Sequence, residues 1–328
     1  RPRIIPSEPT LPIPTTPEEA KSRLDPLDQW AVETFSCKDN GASLAQLMKD
    51  GKLIAVSDGS NGDKISTSSS KLTSRSKKDE ATTVPWKSTN TVPGEPEEED
   101  SYRGELGGVM ADIVAASMIC QVHKVTEGSM EIGLDGEAAM KAVFADTDPK
   151  VDAPCFDILI DIRRKIKALP IKVTGRHIEG HQDKHKAWCQ LDRWAKINIE
   201  MDSSAKALLR KRIKQGFTSS PQPFANETFI PYFKGRKLSK FHTYNLYTEI
   251  YGKETKKRWI QRHGLNEDTL DMIDWNASHK ALKREPIGKR RWFCKHLSGN
   301  CGVGRMLKYR LWQAHDNCPL CNVPDEDT

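Results

Sequence analysis

Lys52-Leu53-Ile54-Ala55-Val56-Ser57-Asp58-Gly59-Ser60 reads as a buried strand. Its apolar run is too short for most helices and has the length of a strand covered on both faces. The expectation is that the strand stops on Asp58 and that Gly59 and Ser60 turn the chain away. That would leave a carboxylate on rigid backbone at a sheet edge, where a metal ion could be reached. Asp before Gly also opens Asx turns with no further role, so the meaning of Asp58 depends on what else the chain sets beside it.

Working outward, Ser101-Tyr102-Arg103-Gly104-Glu105-Leu106-Gly107-Gly108-Val109 reads as a helix start, with Ser101 as N-cap and Glu105 one turn in. Helical spacing of Leu106, Val109, Met110, Ile113 and Val114 predicts a long helix over 101–127. An aspartate strand followed by a helix with Arg-x-Glu-Leu resembles the ribonuclease H family, whose first-strand aspartate stands in a Thr/Ser-Asp-Gly-Ser context. Met130-Glu131-Ile132-Gly133-Leu134-Asp135-Gly136 repeats the first design and opens into a helix at Glu137. Two parallel strands ending in aspartates, with a glutamate on the helix between them, gather three carboxylates at one edge of a βαβ unit. The family often has Thr-Asp-Ser at this place, so Asp135 matches and its neighbours do so only in part; Glu137 competes less well because it should point along its helix.

The resemblance implies a fourth acid on a later helix. Over 190–214, Leu191, Ala195, Asn198, Asp202, Ala205 and Leu209 share one stripe, and Asn198 followed four residues later by Asp202 matches the family's pattern. An aspartate on an apolar stripe needs a metal, an arginine or a hydrogen-bonding neighbour. Gly180-His181 resembles the family's mobile loop histidine, which assists proton transfer or product release; His177 is the rival. Asp58, Glu105, Asp135 and Asp202 would then hold two Mg²⁺ ions about 4 Å apart, with Mn²⁺ as a possible substitute. Alone, each acid has an ordinary alternative, such as compensation of the helix dipole for Glu105.

The resemblance therefore implies an α/β ribonuclease H-like mixed sheet flanked by helices, with a mostly helical, basic C-terminal extension. The implied reaction is Mg²⁺-dependent endonucleolytic hydrolysis of RNA in an RNA/DNA hybrid, within a non-LTR-type retroelement polyprotein in which a reverse transcriptase domain is a possible partner. The alternative is an inactive ribonuclease H fold kept for binding nucleic acid. The boundaries drawn are an N-terminal extension over 1–50, disordered then helical, the ribonuclease H-like domain over 51–214, and the basic tail over 215–328.

Charge supports a polyanionic partner. The net charge is +6, but residues 203–328 hold 24 Lys and Arg against 12 Asp and Glu, leaving 1–202 mildly acidic. A solvated basic surface is the plain alternative. No run looks long enough to span a membrane, and Arg1-Pro2-Arg3-Ile4-Ile5-Pro6 lacks the apolar core of a signal peptide. The expected location is intracellular, in the nucleus or cytoplasm, with the eight cysteines as free thiols or metal ligands.

Three stretches fit less directly. Five prolines within residues 1–16 predict an unstructured lead-in, followed by a helix capped by Thr16 with Pro17 at its first position and running toward Trp30 and Phe35. Over 61–100 the family's two antiparallel strands should show alternating apolar residues, whereas Ser66-Thr67-Ser68-Ser69-Ser70 and Ser74-Arg75-Ser76-Lys77-Lys78 read as a low-complexity insertion. One edge strand over 83–87 is the most that region predicts. Residues 216–231 read as a linker, and His315-Asp316-Asn317-Cys318-Pro319-Leu320-Cys321 resembles half of a zinc finger. Cys318 and Cys321 are its candidate Zn²⁺ ligands; Cys294, His296, Cys301 or His315 would have to complete the site, and a closed one is not the main expectation.

Overall fold

The computed structural model describes residues 12–227, 229–233, 235–239, 243–297 and 303–324. Most of the expected lead-in (1–11) and Cys301 lie outside the described residues. The chain divides into two units, Arg1–Thr243 and Tyr244–Thr328.

In the first unit six strands form one sheet: β1 Thr34–Ser36, β2 Leu53–Gly62, β3 Ile65–Ser74, β4 Trp86–Val92, β5 Ser129–Leu134 and β6 Lys172–His177, in the order β1-β4-β3-β2-β5-β6. The first four pair antiparallel, while β2, β5 and β6 run parallel. The helices are α1 Pro17–Ser22, α2 Ala42–Lys49, α3 Ser101–His123, α4 Glu137–Val143, α5 Phe156–Ala168 and α6 Arg193–Lys214. Alternating residues of β3 show which layers lie on which face. The Ser66 and Ser70 hydroxyls reach the α3 side, at the Asp100 carbonyl and Asp112, whereas Thr67 and Ser69 donate to the Ala205 and Met201 carbonyls of α6. The mixed sheet is thus covered by α3 with its neighbours on one face and by α6 on the other.

Each face has its own apolar core. Leu53, Ala55 and Leu72 join Leu106, Val109, Met110 and Ile113 on the α3 side. Ile54 and Val56 meet Trp194, Ile197 and Met201 under α6.

Several expectations are corrected. β2 does not end at Asp58. It continues through Gly59 and Ser60 to Gly62, and the chain turns at Asp63 and Lys64, both at positive φ as a two-residue type I′ hairpin requires. The supposed insertion at 61–100 holds two full strands. β3 is buried along nearly its whole length, and β4 is an interior strand because β1 covers its outer side. Its serines carry no apolar alternation because both helices come too close for large side chains. A Cβ at Gly107 or Gly108 of α3 would overlap Val92 or Ser57. Small β3 hydroxyls fit between the layers and find partners there, with Ser68 on Asn90 Oδ1 at 2.6 Å and Ser69 on the Met201 carbonyl at 2.7 Å.

At the N-terminus Thr16 caps Glu19 N–H and Pro17 opens α1, as expected, but the helix stops at Ser22 and Phe35 lies in β1, stacked on Trp86. Asp100, not Ser101, is the N-cap of α3, accepting from Arg103 N–H at 2.8 Å. α3 is long and apolar enough to cross a membrane, contrary to the sequence expectation; 78% of its apolar window is buried, the composition of a central core helix. Residues 216–231 are not a free linker either. Phe224 is fully buried, Ser219 donates to Glu99, and the short β7 Tyr232–Phe233 and β8 Arg236–Lys237 bring Lys237 onto Asp157.

The second unit is helical, as expected of the tail: α7 Thr243–His263, α8 Glu267–Asp271, α9 Trp275–Arg284, α10 Ile287–Leu297 and α11 Gly304–Tyr309. Cys37, Cys120, Cys155, Cys189 and Cys294 are free thiols.

Candidate active site

The parallel pairing of β2 with β5 sets the site. Val56 stands opposite Gly133, so two residues further on each strand, Asp58 and Asp135 come level on the α6 face. Asn198, one turn before Asp202 on α6, donates to Asp135 Oδ2 at 3.3 Å. Asp58, Asp135 and Asp202 therefore belong to one face of the sheet at one end of the parallel pair.

Glu105 comes to them from the other layer. A Cβ at Gly59 would overlap the backbone of Gly104 and Glu105, so the first turn of α3 rests directly on β2 beside Asp58. A Cβ at Gly136 would overlap the Glu105 carboxylate, and one at Gly180 would stand 2.7 Å from Asp135 Oδ2. Glu105 and Asp135 thus each pack a carboxylate against a glycine, where an added Cβ would force that carboxylate to shift.

The acids act on one another electrostatically. Burial, then the charges of Asp135 and Asp202, pushes the Asp58 carboxyl up to about 8. Burial, then Asp135, pushes Glu105 up to about 7. Among the described residues no Lys or Arg pairs with Asp58, Glu105 or Asp135, and Asp58 is relieved only by the Gly59 N–H at 2.7 Å. Asp202 is different: Lys206, one turn on, holds it at 2.8 Å. That lysine was legible as an i,i+4 partner.

Among the described residues no three His, Cys, Asp or Glu side chains converge closely enough to hold an ion as they stand. The four acids are electrostatic neighbours and not a closed cage. Their chemistry, hard carboxylate oxygens with a surplus of negative charge, fits Mg²⁺ or Mn²⁺ in kind. An ion would have to draw them together.

His181 is exposed, at positive φ, in the loop that crosses Asp135 through Gly180. Its rival His177 is engaged, with Nε2 donating to the Asp135 carbonyl at 3.1 Å. Cys318 and Cys321 lie in the second unit; Cys318 Sγ accepts the Leu320 N–H at 3.4 Å, Cys318 is buried and Cys321 is exposed.

Strand order and flanking helices are those of a ribonuclease H-like α/β fold. No protein-family model and no curated protein matches the chain. Among solved structures, the N-terminal RNase H domain of Rv2228c from Mycobacterium tuberculosis, determined as a fusion with maltose-binding protein, is 14% identical, over 48% of this chain and 98% of that one, with a TM-score of 0.29.

Proposed function

We propose that the first unit is a divalent-metal-dependent nuclease that hydrolyses RNA in an RNA/DNA hybrid. The observation that carries this reading is the gathering of Asp58, Glu105, Asp135 and Asp202 from two strands and two helices, three of them without a cation. Burying like charges together costs stability, and a fold keeps such an arrangement where a cation completes it. Asp58, Glu105, Asp135 and Asp202 would hold Mg²⁺, which supplies an activated water and stabilises the leaving 3′ oxygen. Asn198 orients Asp135, Gly136 and Gly180 leave room for the Glu105 and Asp135 carboxylates, and His181 would carry a proton from its loop position.

Lys206 on Asp202 supports a second reading, an inactive fold that binds nucleic acid, because an ammonium neutralises one acid without metal. Incubating the chain with a labelled hybrid, with and without Mg²⁺, separates the two. Cleavage lost in Asp58→Asn and Asp135→Asn, with binding retained, supports the nuclease; binding without cleavage under any Mg²⁺ or Mn²⁺ concentration supports the alternative. Descent from a retroelement polyprotein with a reverse transcriptase belongs to the same proposal on sequence resemblance, whereas Zn²⁺ on Cys318 and Cys321 stays outside it, since among the described residues no further His or Cys closes a site around them. The first is tested by reading the gene upstream, the second by zinc analysis of the purified chain.

A further inference from the structure

In the second unit, charge is concentrated on one pair of helices. Residues 275–297, which comprise α9 and α10, hold seven Lys and Arg against a single acid, Glu285. Residues 243–271, which comprise α7 and α8, hold five of each sign. A surface charged only for solubility has no reason to be so divided. Lys289 is paired with Glu285 at 2.9 Å, but among the described residues no acid pairs with the exposed Lys280, Lys283, Arg284 or Arg291.

The same two helices expose large aromatics. Trp292 is 56% exposed, with its ring parallel to that of His296 at 5.2 Å and 4°, and Trp275 is 51% exposed. Exposed rings carried on the same two helices as unpaired cations, with Arg291 next to Trp292 in the chain, suit a ligand that offers both negative charge and π-faces. A second copy of this chain would bring like charge against like charge. An acidic protein would match the cations and leave the rings without matching partners. A paired duplex offers phosphates while keeping its base faces stacked inside.

We propose that α9 and α10 form a binding surface for single-stranded nucleic acid, with Lys283, Arg284 and Arg291 on phosphates and Trp292 stacking on a base. This surface goes beyond the proposed hydrolysis and does not depend on the acid cluster.

The test uses the full chain carrying Asp135→Asn, so that nothing is cut, and labelled single-stranded RNA and DNA oligonucleotides followed by fluorescence anisotropy across a salt series. The triple variant Lys283→Glu, Arg284→Glu, Arg291→Glu should lose about tenfold or more in single-strand affinity near 0.1 M salt, with a log–log salt slope shallower by about 2. Trp292→Ala should weaken binding about fivefold or more with the slope unchanged, because stacking releases no counterions. Circular dichroism checks that the helices persist; should the triple variant unfold, Arg291→Gln and Trp292→Ala decide alone. Wild-type affinity in folded variants overturns the proposal. So does self-association in sedimentation that Trp292→Ala abolishes, which would give the surface to a second copy. If the unmodified chain fails to cut a hybrid, the nuclease reading falls while this binding result stands.

Discussion

Two charge clusters lie two residues apart on α3, and the protein treats them oppositely. Arg103, 1% exposed, donates to Asp157 through two bonds of 3.1 Å and to the Pro93 carbonyl at 2.6 and 2.8 Å. Lys237 reaches the same Asp157 at 3.0 Å and Glu227 at 2.8 Å, and both cations lie over the Phe224 ring. Opposite charges hold the Asp157 carboxyl below its usual range despite complete burial. At Glu105 the neighbours are acids, and the carboxyl is pushed the other way. The first cluster is complete as folded; the second is not. Buried charge that is paired ties elements together, here docking Phe224 and Lys237 onto the start of α3, whereas the unpaired acids are the place the proposed cation would occupy.

The largest expected effects break the unpaired cluster. Glu105→Gln and Asp135→Asn should each lower single-turnover cleavage of a hybrid by about 10³-fold or more, since each removes a ligand from metal chemistry worth several kcal/mol. Near-normal rates in both would dissolve the distinction between the clusters. Next in size, Arg103→Met should destabilise the first unit by about 3–5 kcal/mol, because Asp157 and Glu99 lose their buried guanidinium; chemical denaturation reads this directly. A loss under 1 kcal/mol would mean that Lys237 alone compensates the carboxylates.

Smaller still, His181→Ala should slow turnover by about 10²-fold without abolishing it, as expected for proton assistance from a loop that solvent also reaches. A variant as inactive as Glu105→Gln would make the histidine a ligand. The smallest effect has the opposite sign. In chelator, Asp58→Asn should raise Tm by about 3–8 °C at pH 8 and hardly at all at pH 4. Asp58 titrates near 8 when folded, against 3.8 for an unperturbed aspartate. Near pH 4 the folded state keeps it neutral at little cost, and the cost grows as pH rises toward 8. A Tm gain independent of pH would assign the effect to packing instead.

The acids were legible in the sequence because Asp-Gly after an apolar run, and Asn four residues before Asp, survive as local patterns. Gly59, Gly136 and Gly180 were visible only as turn residues, since close approach by another element is a tertiary fact. β3 was misread for a physical reason: its core is made of hydroxyls bonded to carbonyls at the two helices and to the Asn90 and Asp112 side chains, and no periodicity scale of apolar residues detects that. The docking of Phe224 and Lys237 was hidden in the same way. Pro, Ser and Gln suggest a linker, while Phe224 and Lys237, the residues that dock it, are too few and too far apart to form a pattern.

The most direct test of the unpaired cluster is anomalous diffraction from crystals of the full chain grown with Mn²⁺. The account predicts anomalous density between Asp58 and Asp135, with Glu105 and Asp202 drawn in and Lys206 released from Asp202. Crystals grown at about 10 mM Mn²⁺, an excess over ordinary site affinities, that show no density there and an intact Lys206–Asp202 pair would contradict it.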